Sequence, residues 1–421
     1  MKSNIIYPAQ METQSFGRLE VRVTEDAGFV PIPNAIVQIA REDNPEATIA
    51  EARTDASGLT EPMELLAPPV EYSLEPNNPK PYSEYTITSN AENFESEQIH
   101  GAQILPNIIA SQPMELTQVI DADPYENYVI NIEPHTLYGD FPPKIAEDEI
   151  KPIDETGEIV LSQVVVPEFV IVHDGTPTDT SAPNYYVRYR DYIKNVASSE
   201  IYATWPESTI YANILAIMSF TLNRVFTEWY RNQGYNFTIT SSTAFDHKWM
   251  KGRNIYTNLS NAVDNIFNNY LSRPNVLQPI LTQYCDGVDV TCPGWLSQWG
   301  SKDLGDQGLE SIDILRNYYG SSIFINEAPI VAGVPSSFPG YDLNIGATGD
   351  NVRQIQNQIN TVADVYSAIP HIAVDGVFGE NTANAVRAFQ RVFGLPTTGV
   401  VDFPTWYRIS ELYVAVSRIA E

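Results

Sequence analysis

Basic residues, cysteines and long apolar runs are scarce in this chain, and each scarcity excludes a class of protein. Only 24 of the 421 residues are Lys or Arg, against 53 Asp or Glu, and the formal charge of −29 would repel a phosphate backbone. The two cysteines exclude a disulfide-rich scaffold and a multi-zinc protein. No stretch approaches the roughly 18 apolar residues that cross a membrane. We therefore expect no nucleic-acid partner and no membrane span.

Signatures of cofactor sites and of export are missing as well. The chain contains no GxxxxGK[ST], GxGxxG, HExxH or GxSxG motif, and its five histidines are scattered along the sequence. We therefore expect no cofactor and no metal centre rich in histidine. The first ten residues hold only a short apolar stretch, whereas the core of a signal peptide needs about 7–15 residues, so we expect no signal peptide.

Charge is distributed unevenly along the chain. Residues 1–163 contain 29 acidic and 8 basic residues, whereas residues 164–421 contain 24 acidic and 16 basic residues. A break of this kind predicts a domain boundary near residue 163. Two interpretations of the acidic part stay open: it is a module with its own function, or it is acidic only for solubility.

Residues 17–118 carry the pattern of short β-strands. Apolar and polar residues alternate between positions 19 and 24, and turn-forming segments such as 55–58 separate the later apolar runs. Strands at this spacing predict a β-sandwich. The pattern resembles the transthyretin-like and carboxypeptidase-regulatory-like modules, which implies an accessory domain. The segments that carry this resemblance are Gly17-Arg-Leu-Glu-Val, Pro31-Ile-Pro-Asn34-Ala-Ile-Val and Thr54-Asp-Ala-Ser-Gly58-Leu.

The rest of the chain predicts further units joined by irregular segments. We expect a tail at 1–16 and an acidic tether at 119–163, because prolines at that density prevent a continuous helix or a central strand. A catalytic α+β unit follows at 164–330, then a linker at 331–342 that is rich in Gly, Pro and Ser, and last a compact helical unit at 343–421. The predicted fold class is therefore a multidomain α+β protein.

Helical periodicity is strongest in the central unit. It predicts helices at about 185–200 and 205–231, and Thr204 with Glu207 fits a capping box at the start of the second. The last unit is predicted to hold three helices, the third of them capped by Asp402.

Glu200 is the candidate catalytic residue. It lies in line with Ile193, Val196 and Ala197 on the apolar face of the first predicted helix. A carboxylate there either finds a hydrogen-bond donor or has its pKa raised by the loss of water, and a carboxylic acid that stays protonated near neutral pH can act as a general acid. The competing interpretation is a glutamate that ends the helix and points at water.

Two separated motifs resemble the stage II sporulation protein D family. The first is Glu200-Ile-Tyr-Ala-Thr-Trp205-Pro206, within residues 192–212, and the second is Trp295-Leu-Ser-Gln298-Trp299-Gly300, followed by an Ile-Leu…Tyr-Tyr pattern up to residue 320. The resemblance covers about 185–325. It implies a lytic transglycosylase of peptidoglycan glycan strands and places the catalytic acid of the family on Glu200.

The same resemblance implies which residues contact the sugar. Roles in packing or in turns are equally open for all of them. The candidate contacts are Ser241, Ser242, Tyr284, Gln298 and Trp299.

The two cysteines, Cys285 and Cys292, are separated by seven positions. They fit a small disulfide loop, two free thiols or part of a metal site, and the spacing alone does not choose between these. Relatives in the family carry a Cys/His metal site, but His247 is the only histidine nearby in sequence and the ligand set is incomplete. We therefore expect no metal.

The C-terminal unit resembles the peptidoglycan-binding-like domain. The resemblance rests on Val374-Asp375-Gly-Val-Phe378-Gly379 and on Thr405-Trp406. It implies anchoring to the cell wall, which raises the effective concentration of substrate at the catalytic unit. Asp375, Phe378 and Trp406 are the candidate contacts with peptidoglycan, and a role in the core is the competing interpretation of the aromatic residues.

Taken together, the order of units resembles the precursor form of the SleC family of clostridial spore cortex-lytic enzymes. This resemblance implies an endospore protein of the outer cortex or coat region, made inactive and cut by a subtilisin-like protease during germination. The cleavage site would lie near Gln163 and Val164. Two alternatives stay open: a non-catalytic wall-binding or spore-coat protein, and a cortex amidase or glucosaminidase.

Overall fold

The computed structural model describes residues 15–25, 28–119, 128–151 and 161–419, with side chains up to residue 417. It shows a multidomain chain of mixed α and β structure with a helical C-terminal region. The predicted N-terminal tail falls almost wholly outside the described residues, as do residues 120–127 near the start of the predicted tether and residues 152–160 near its end.

The N-terminal unit consists of two β-sheets. One has the strand order β3-β2-β5-β6-β8, and in the other β1 lies between β4, which is antiparallel to it, and β7, which is parallel. Leu19, Val21 and Val23 are fully buried along β1, so the predicted alternation is confirmed. Strand β6 contacts β1, β4 and β7 of the other sheet. The strands are β1 (Ser15–Glu25), β2 (Ile36–Arg41), β3 (Asn44–Arg53), β4 (Met63–Ala67), β5 (Ser83–Asn90), β6 (Glu97–Ile104), β7 (Ile109–Leu116) and β8 (Tyr128–Asn131).

The central unit is arranged around one helix. Helix α2 is buried at 17 of its 20 residues and contacts α1, α3, α4 and α5, as expected of a helix that is apolar on nearly every side. The helices are α1 (Tyr189–Glu200), α2 (Glu207–Phe226), α3 (Thr257–Ile266), α4 (Gln298–Asp306) and α5 (Ser311–Tyr319). The strands are β9 (Val165–Val166), β10 (Phe169–His173), β11 (Asn184–Arg188), β12 (Ile239–Thr240), β13 (Ile255–Tyr256), β14 (Asn269–Ser272), β15 (Tyr284–Cys285), β16 (Leu296–Ser297), β17 (Phe324–Glu327) and β18 (Ile330–Val331).

Both predicted helices exist, but their bounds differ from the prediction, and α2 ends at Phe226 instead of about residue 231. Helix α1 begins at Tyr189 because the preceding residues pair with β10 as strand β11. The predicted capping box was wrong: Pro206 occupies the cap position of α2, and the Thr204 hydroxyl donates instead to Ser73 Oγ in the N-terminal unit, at 2.7 Å. A hydrogen bond between units has replaced the local cap.

The C-terminal unit has the three predicted helices, α6 (Asp350–Ala363), α7 (Glu380–Val392) and α8 (Phe403–Ile419). The predicted cap of the third helix is confirmed, because the Asp402 carboxylate accepts the backbone N–H of Thr405 at 3.1 Å. The predicted linker is anchored at both ends. Val331 pairs with Val166 in a two-stranded sheet, and the Phe338 ring lies edge-on to Trp406 at 6.2 Å.

The segment predicted as a tether is packed where the structure describes it. Strand β8 pairs with β6, His135 is fully buried, and Lys151 is 4% exposed. Its prolines exclude a helix, but they leave an extended chain free to lie against a neighbouring surface.

The N-terminal and central units also share a sheet. Strand β13 of the central unit pairs with β7, and the Asn254 side chain both donates to and accepts from the backbone of Gln103, at 2.8 and 3.0 Å. Neither contact could be predicted from the sequence, because both join residues more than 140 positions apart.

A buried ion network fixes the C-terminal helix to the central unit. The Glu411 carboxylate contacts the Arg190 guanidinium and lies 3.1 Å from that of Arg408, while Asp264 pairs with Arg190 at 3.2 Å and with Lys194 at 2.7 Å. Burial works to raise the pKa of Glu411, but the surrounding arginines overcome it and hold that pKa well below its ordinary range. The network around Glu411 therefore stabilises the fold at every pH at which this carboxylate is ionised.

We expect Glu411→Gln to lower the free energy of unfolding at pH 7 by about 3 kcal/mol, because it leaves buried arginine charge without its partner. A carboxyl group with a lowered native pKa stabilises above its unfolded pKa of about 4.3 and loses that contribution as the pH falls below it. The difference between variant and wild type should therefore shrink below pH 4. Urea unfolding at pH 7 and at a pH below 4 measures this difference in the free energy of unfolding.

Glu380→Gln, at an exposed ion pair, is the matched control and should cost less than about 1 kcal/mol. Equal effects of the two substitutions would contradict the stabilising role of the network.

Candidate active site around Glu200

Glu200 is the last residue of α1, and its side chain points into the protein. The helix stops there because Ile201 adopts an extended backbone, with φ −135° and ψ 150°. Eleven of the twelve residues of α1 are buried, and Glu200 itself is only 4% exposed. The interpretation of Glu200 as a helix end that points at water is therefore wrong.

Donors from two other segments hold the carboxylate. The backbone N–H of Lys248 donates to Glu200 Oε1 at 2.8 Å. The Gln298 amide donates to the backbone oxygen of Glu200 at 2.8 Å and reaches Oε2 at 3.3 Å. Gln298 opens α4 directly after β16, which pairs with the strand that carries Tyr284, so the predicted residues Gln298 and Tyr284 both lie beside Glu200.

The Tyr284 hydroxyl faces the same carboxyl group. It acts to lower the pKa of Glu200, although its geometry falls short of a formed hydrogen bond. Burial and the nearby Glu200 charge raise the pKa of Tyr284 well above its ordinary value, so the phenol stays protonated and is available as a donor.

Burial dominates the electrostatics of Glu200. Loss of water raises the pKa of Glu200, and the positive charge of Lys144 is the largest influence in the opposite direction. The net effect is an acid that releases its proton less readily than an exposed glutamate. This is the property a general acid needs near neutral pH.

Glu200 opens onto a cavity of about 590 Å³, within the usual size of small-ligand sites. The central unit forms one side of it. The other side is residues 136–144 of the segment predicted as a tether, which we call the wall segment. The lining residues are Thr136, Tyr138, Gly139, Asp140, Phe141, Pro142, Pro143, Lys144, Glu200, Thr243, Tyr284, Cys285, Asp286, Asp289, Val290 and Gln298.

Lys144 is the member of this site that sequence reasoning missed. Its ammonium group donates to the backbone oxygens of Thr243, at 3.2 Å, and Asp246, and it lies 4.9 Å from the centre of the Tyr284 ring. Burial lowers the pKa of Lys144, and Glu200 opposes that shift. One signal was present in the sequence: Lys144 is the only basic residue between Lys80 and Lys151.

Three predicted sugar contacts do not reach the cavity. Ser241 and Ser242 belong to the turn after β12, and their neighbour Thr243 lines the cavity instead. Trp299 packs against Trp205, with ring centres 5.1 Å apart, and is 7% exposed. In both segments a residue next to the predicted one lines the cavity: Thr243 in the first and Gln298 in the second.

Cys285 and Cys292 form a disulfide, which settles the alternatives left open by their spacing. His247 is fully buried, and its Nδ1 lies 3.1 Å from the Tyr192 hydroxyl. Burial lowers the pKa of His247 well below its ordinary value, so the ring is neutral. The part of the chain that the structure describes holds no group of three or more His, Cys, Asp or Glu residues arranged to bind a metal ion.

The predicted cleavage bond lies at the edge of the central unit. Gln163 is exposed, whereas Val164 is 1% exposed and leads directly into β9. Residues 152–160, just before it, lie outside the described part of the chain.

The predicted contacts of the C-terminal unit with peptidoglycan are largely internal. Phe378 and Trp406 are buried, at 0% and 1% exposure, so they serve the core and offer no surface to a glycan. The Asp375 carboxylate accepts the backbone N–H of Val377 and the Gln356 amide, both at 2.9 Å, and so holds a turn. Both aromatic residues were predicted as contacts because they belong to the motifs of the resemblance, and those motif positions lie in the core.

We expect Glu200→Gln to raise the melting temperature at pH 7 to 8 by a few degrees, because it removes a carboxylate that is costly to bury. A group with a raised native pKa favours the fold while it is protonated, and this contribution is lost as the pH rises through the native pKa. The advantage of the variant should therefore shrink towards pH 4. Thermal unfolding followed by circular dichroism between pH 4 and pH 8 measures the difference in melting temperature.

Glu207→Gln, at an exposed position seven residues away, is the control and should show no such trend. A difference that is independent of pH would contradict the buried-acid assignment.

No helix in the described residues is long and apolar enough to cross a membrane.

Residues 348–409 match the family model described as "Putative peptidoglycan binding domain". No curated protein matches the chain. Among solved structures, the Bacillus anthracis TIE protein is 19% identical over 25% of this chain and 18% of that one, with a TM-score of 0.19. The catechol 1,2-dioxygenase from Acinetobacter sp. ADP1 is 12% identical over 29% of this chain and 60% of that one, with a TM-score of 0.18. Both matches span less than two thirds of those chains, and similarity this low carries no argument. The domain at 348–409 supports a cell-wall-related protein that binds peptidoglycan.

Proposed function

We propose that this protein is the inactive precursor of a lytic transglycosylase that cuts the glycan strands of spore cortex peptidoglycan. The observation that carries the proposal is the buried Glu200 carboxyl group, with its raised pKa, at the mouth of a cavity of about 590 Å³. A peptidoglycan-binding domain on the same chain supplies the matching substrate class.

The chemistry requires only one carboxyl group. Protonated Glu200 gives its proton to the glycosidic oxygen as the bond between that oxygen and C1 of muramic acid breaks. The 6-hydroxyl of the same sugar then attacks C1, and its proton returns to Glu200. The product carries a 1,6-anhydromuramic end. The second carboxylate of an ordinary glycosidase is not needed, because the substrate supplies the nucleophile.

The neighbours of Glu200 suit this role. Lys248 N–H and the Gln298 amide hold the carboxyl group in place, and the protonated Tyr284 phenol remains available for the sugar. Asp286, another carboxylate at the cavity, accepts the backbone N–H groups of Val288 and Val290 and is committed to its own loop.

The same proposal assigns a domain type to each unit. The two-sheet unit is an accessory domain of the transthyretin-like or carboxypeptidase-regulatory-like kind, and the central unit is of the stage II sporulation protein D kind. The C-terminal unit brings the enzyme to the wall. The whole chain is then a member of the SleC type of cortex-lytic enzyme, located in the outer cortex or coat region of the spore.

The position of the wall segment supports the proposed latency. It closes one side of the cavity and places Lys144 beside Glu200, where the ammonium charge favours the ionised carboxylate and so opposes the acid form. A subtilisin-like protease that cuts near Gln163 and Val164 would separate this segment from the chain that carries Glu200. Both the steric block and the opposing charge would then be removable.

A second candidate function is a wall-binding protein without activity. It is favoured by the one family match, which covers only the binding domain, and by the occluded cavity. A cortex amidase or glucosaminidase is a further candidate, and the chemistry of the products separates it from a transglycosylase.

The processed protein should convert cortex peptidoglycan into fragments that end in 1,6-anhydromuramic acid. Mass spectrometry of the soluble fragments identifies these ends, which are 18 mass units lighter than the hydrated reducing ends left by a hydrolase, because one water is not added. Glu200→Gln should reduce their yield by at least about 100-fold, the usual contribution of a general acid.

Glu207→Gln is the matched control for this substitution, since it changes an exposed carboxylate close in sequence. It should keep the full rate. Reducing ends in the products would reject the transglycosylase mechanism, and an active Glu200→Gln enzyme would reject the assignment of the acid.

Latency is tested with a chain that carries a specific protease site within residues 152–160. The intact chain should release few fragments, and cutting it should raise the release rate at least tenfold, because the wall segment is no longer tethered to the site it covers. Release of soluble muropeptides over time measures both forms.

The same protease acting on a chain without the inserted site is the control. Equal release by cut and intact chains would refute the latency. A rate increase that appears in the Glu200→Gln background as well would trace the activity to another protein in the preparation.

A further inference from the structure

Beyond the wall segment, residues 144–151 lie along a well-defined surface of the central unit. From residue 147 onward, exposed and covered positions alternate, which is typical of an extended chain. Glu147, Glu149 and Lys151 face the protein, while Asp148 and Ile150 face water. We call the surface that receives these residues the seat, formed by Arg224, Arg273, Gln278, Leu281 and Gln283.

The seat binds the backbone of this segment with paired contacts. The Gln283 side chain accepts the N–H of Glu147 at 2.8 Å and donates to the oxygen of Ile145 at 2.6 Å. Gln278 does the same for both backbone groups of Lys151, at 2.7 and 3.2 Å. Contacts to backbone groups recognise an extended peptide without regard to its side chains.

Two arginines add the side-chain recognition. Arg224 grips the Glu147 carboxylate with both terminal nitrogens, at 2.5 and 3.0 Å. Arg273 grips Glu149 in the same way through Nε and Nη2, both at 2.7 Å. Bidentate pairs of this kind select planar anions such as carboxylates. Two positions along an extended chain are about 7 Å apart, so the seat recognises two carboxylates at that spacing.

The seat needs an occupant. Gln283 and Gln278 are 1% and 3% exposed and bond directly to residues 144–151. Arg224 is 1% exposed, and its Nε pairs with Asp246 at 2.7 Å, so only its two terminal nitrogens depend on the segment. If that segment leaves, these polar groups require other partners, because a buried polar group without a partner destabilises the fold. Water supplies part of this replacement, and a ligand with the same groups supplies it in the same geometry.

We propose that the seat is the binding site for an acidic peptide, the stem peptide carried by the peptidoglycan strand, and that Glu147 and Glu149 imitate its carboxylates in the precursor. This rests on the proposed function, and it places the stem peptide in line with the cavity, because residue 144 of the same segment lines it. Glycan at Glu200 and peptide at the seat are then parts of one substrate site.

The test uses the full chain and a fluorescein-labelled peptide of residues 142–151. In the wild type, the chain's own segment competes at the millimolar effective concentration of a tethered ligand. Glu147→Gln together with Glu149→Gln weakens that competitor while keeping its shape. Fluorescence anisotropy should show the labelled peptide binding this double variant at least tenfold more tightly than the wild type. Equal binding to both proteins would overturn the proposal.

Three controls identify the recognition. A labelled peptide with Gln in place of both glutamates should bind the double variant at least tenfold more weakly. Adding Arg273→Gln to the double variant should abolish binding, while Arg316→Gln, at an exposed arginine of α5, should leave it unchanged. Loss of binding with both arginine substitutions, or with neither, would overturn the assignment of the seat. If the double variant does not fold, Glu149→Gln alone, at a carboxylate about one third exposed, carries the same comparison.

The ligand itself is tested by displacement. Unlabelled N-acetylmuramyl-L-alanyl-γ-D-glutamyl-diaminopimelate should displace the labelled peptide, whereas chitotetraose, which has no peptide, should not. Failure of the muramyl tripeptide to displace it would overturn the stem-peptide assignment. The readout does not involve chemistry at Glu200, so failure of the transglycosylase proposal and failure of this one are separate results.

Discussion

The burial of the Glu200 carboxyl group constrains the arrangement of the central unit. Glu200 cannot be buried without donors, and its donors come from the loop that carries Lys248 and from the start of α4. Helix α2 packs against both α1, which ends in Glu200, and α4, which begins with Gln298, and so holds the acid and one of its donors in place. The same lack of water raises the pKa of Glu200, so one physical condition both demands the donors that fix the side chain and keeps on it the proton that the proposed chemistry requires.

The acidic N-terminal part is built into the rest of the molecule. It shares a sheet with the central unit through β13, and its Arg22 guanidinium reaches the backbone oxygen of Val392 and lies 5.6 Å from the Phe393 ring in the C-terminal unit. Cleavage near residue 163 would therefore break one covalent bond but none of these contacts. Two of the acidic residues before that point, Glu147 and Glu149, form ion pairs with arginines of the central unit.

The sequence predicted what depends on neighbours along the chain. The three C-terminal helices, their cap at Asp402 and the place of Glu200 on an apolar helix face all follow from local periodicity, and the resemblance added Gln298 and Tyr284. The contacts that failed or were missed depend on distant partners. Thr204 bonds to Ser73 in place of its own helix, and Lys144 enters the site from a segment that was predicted to be a tether. Within a short motif, which of several adjacent residues faces the cavity is decided by the turn, and so Thr243 lines it where Ser241 and Ser242 were expected.

Under the proposed function, latency depends on concentration more than on strain. In the intact chain the wall segment and the residues bound at the seat are tethered, so they hold their positions at an effective concentration near the millimolar range. A cut before β9 ends the tether without weakening any single contact. Noncovalent contacts alone then hold the N-terminal part, and after it dissociates it is diluted. A polymer bound by the peptidoglycan-binding domain presents its sugars and peptides at high local concentration and can take its place. The proposed function therefore couples binding to the wall with release of the wall segment, because both change the competition for the same surface.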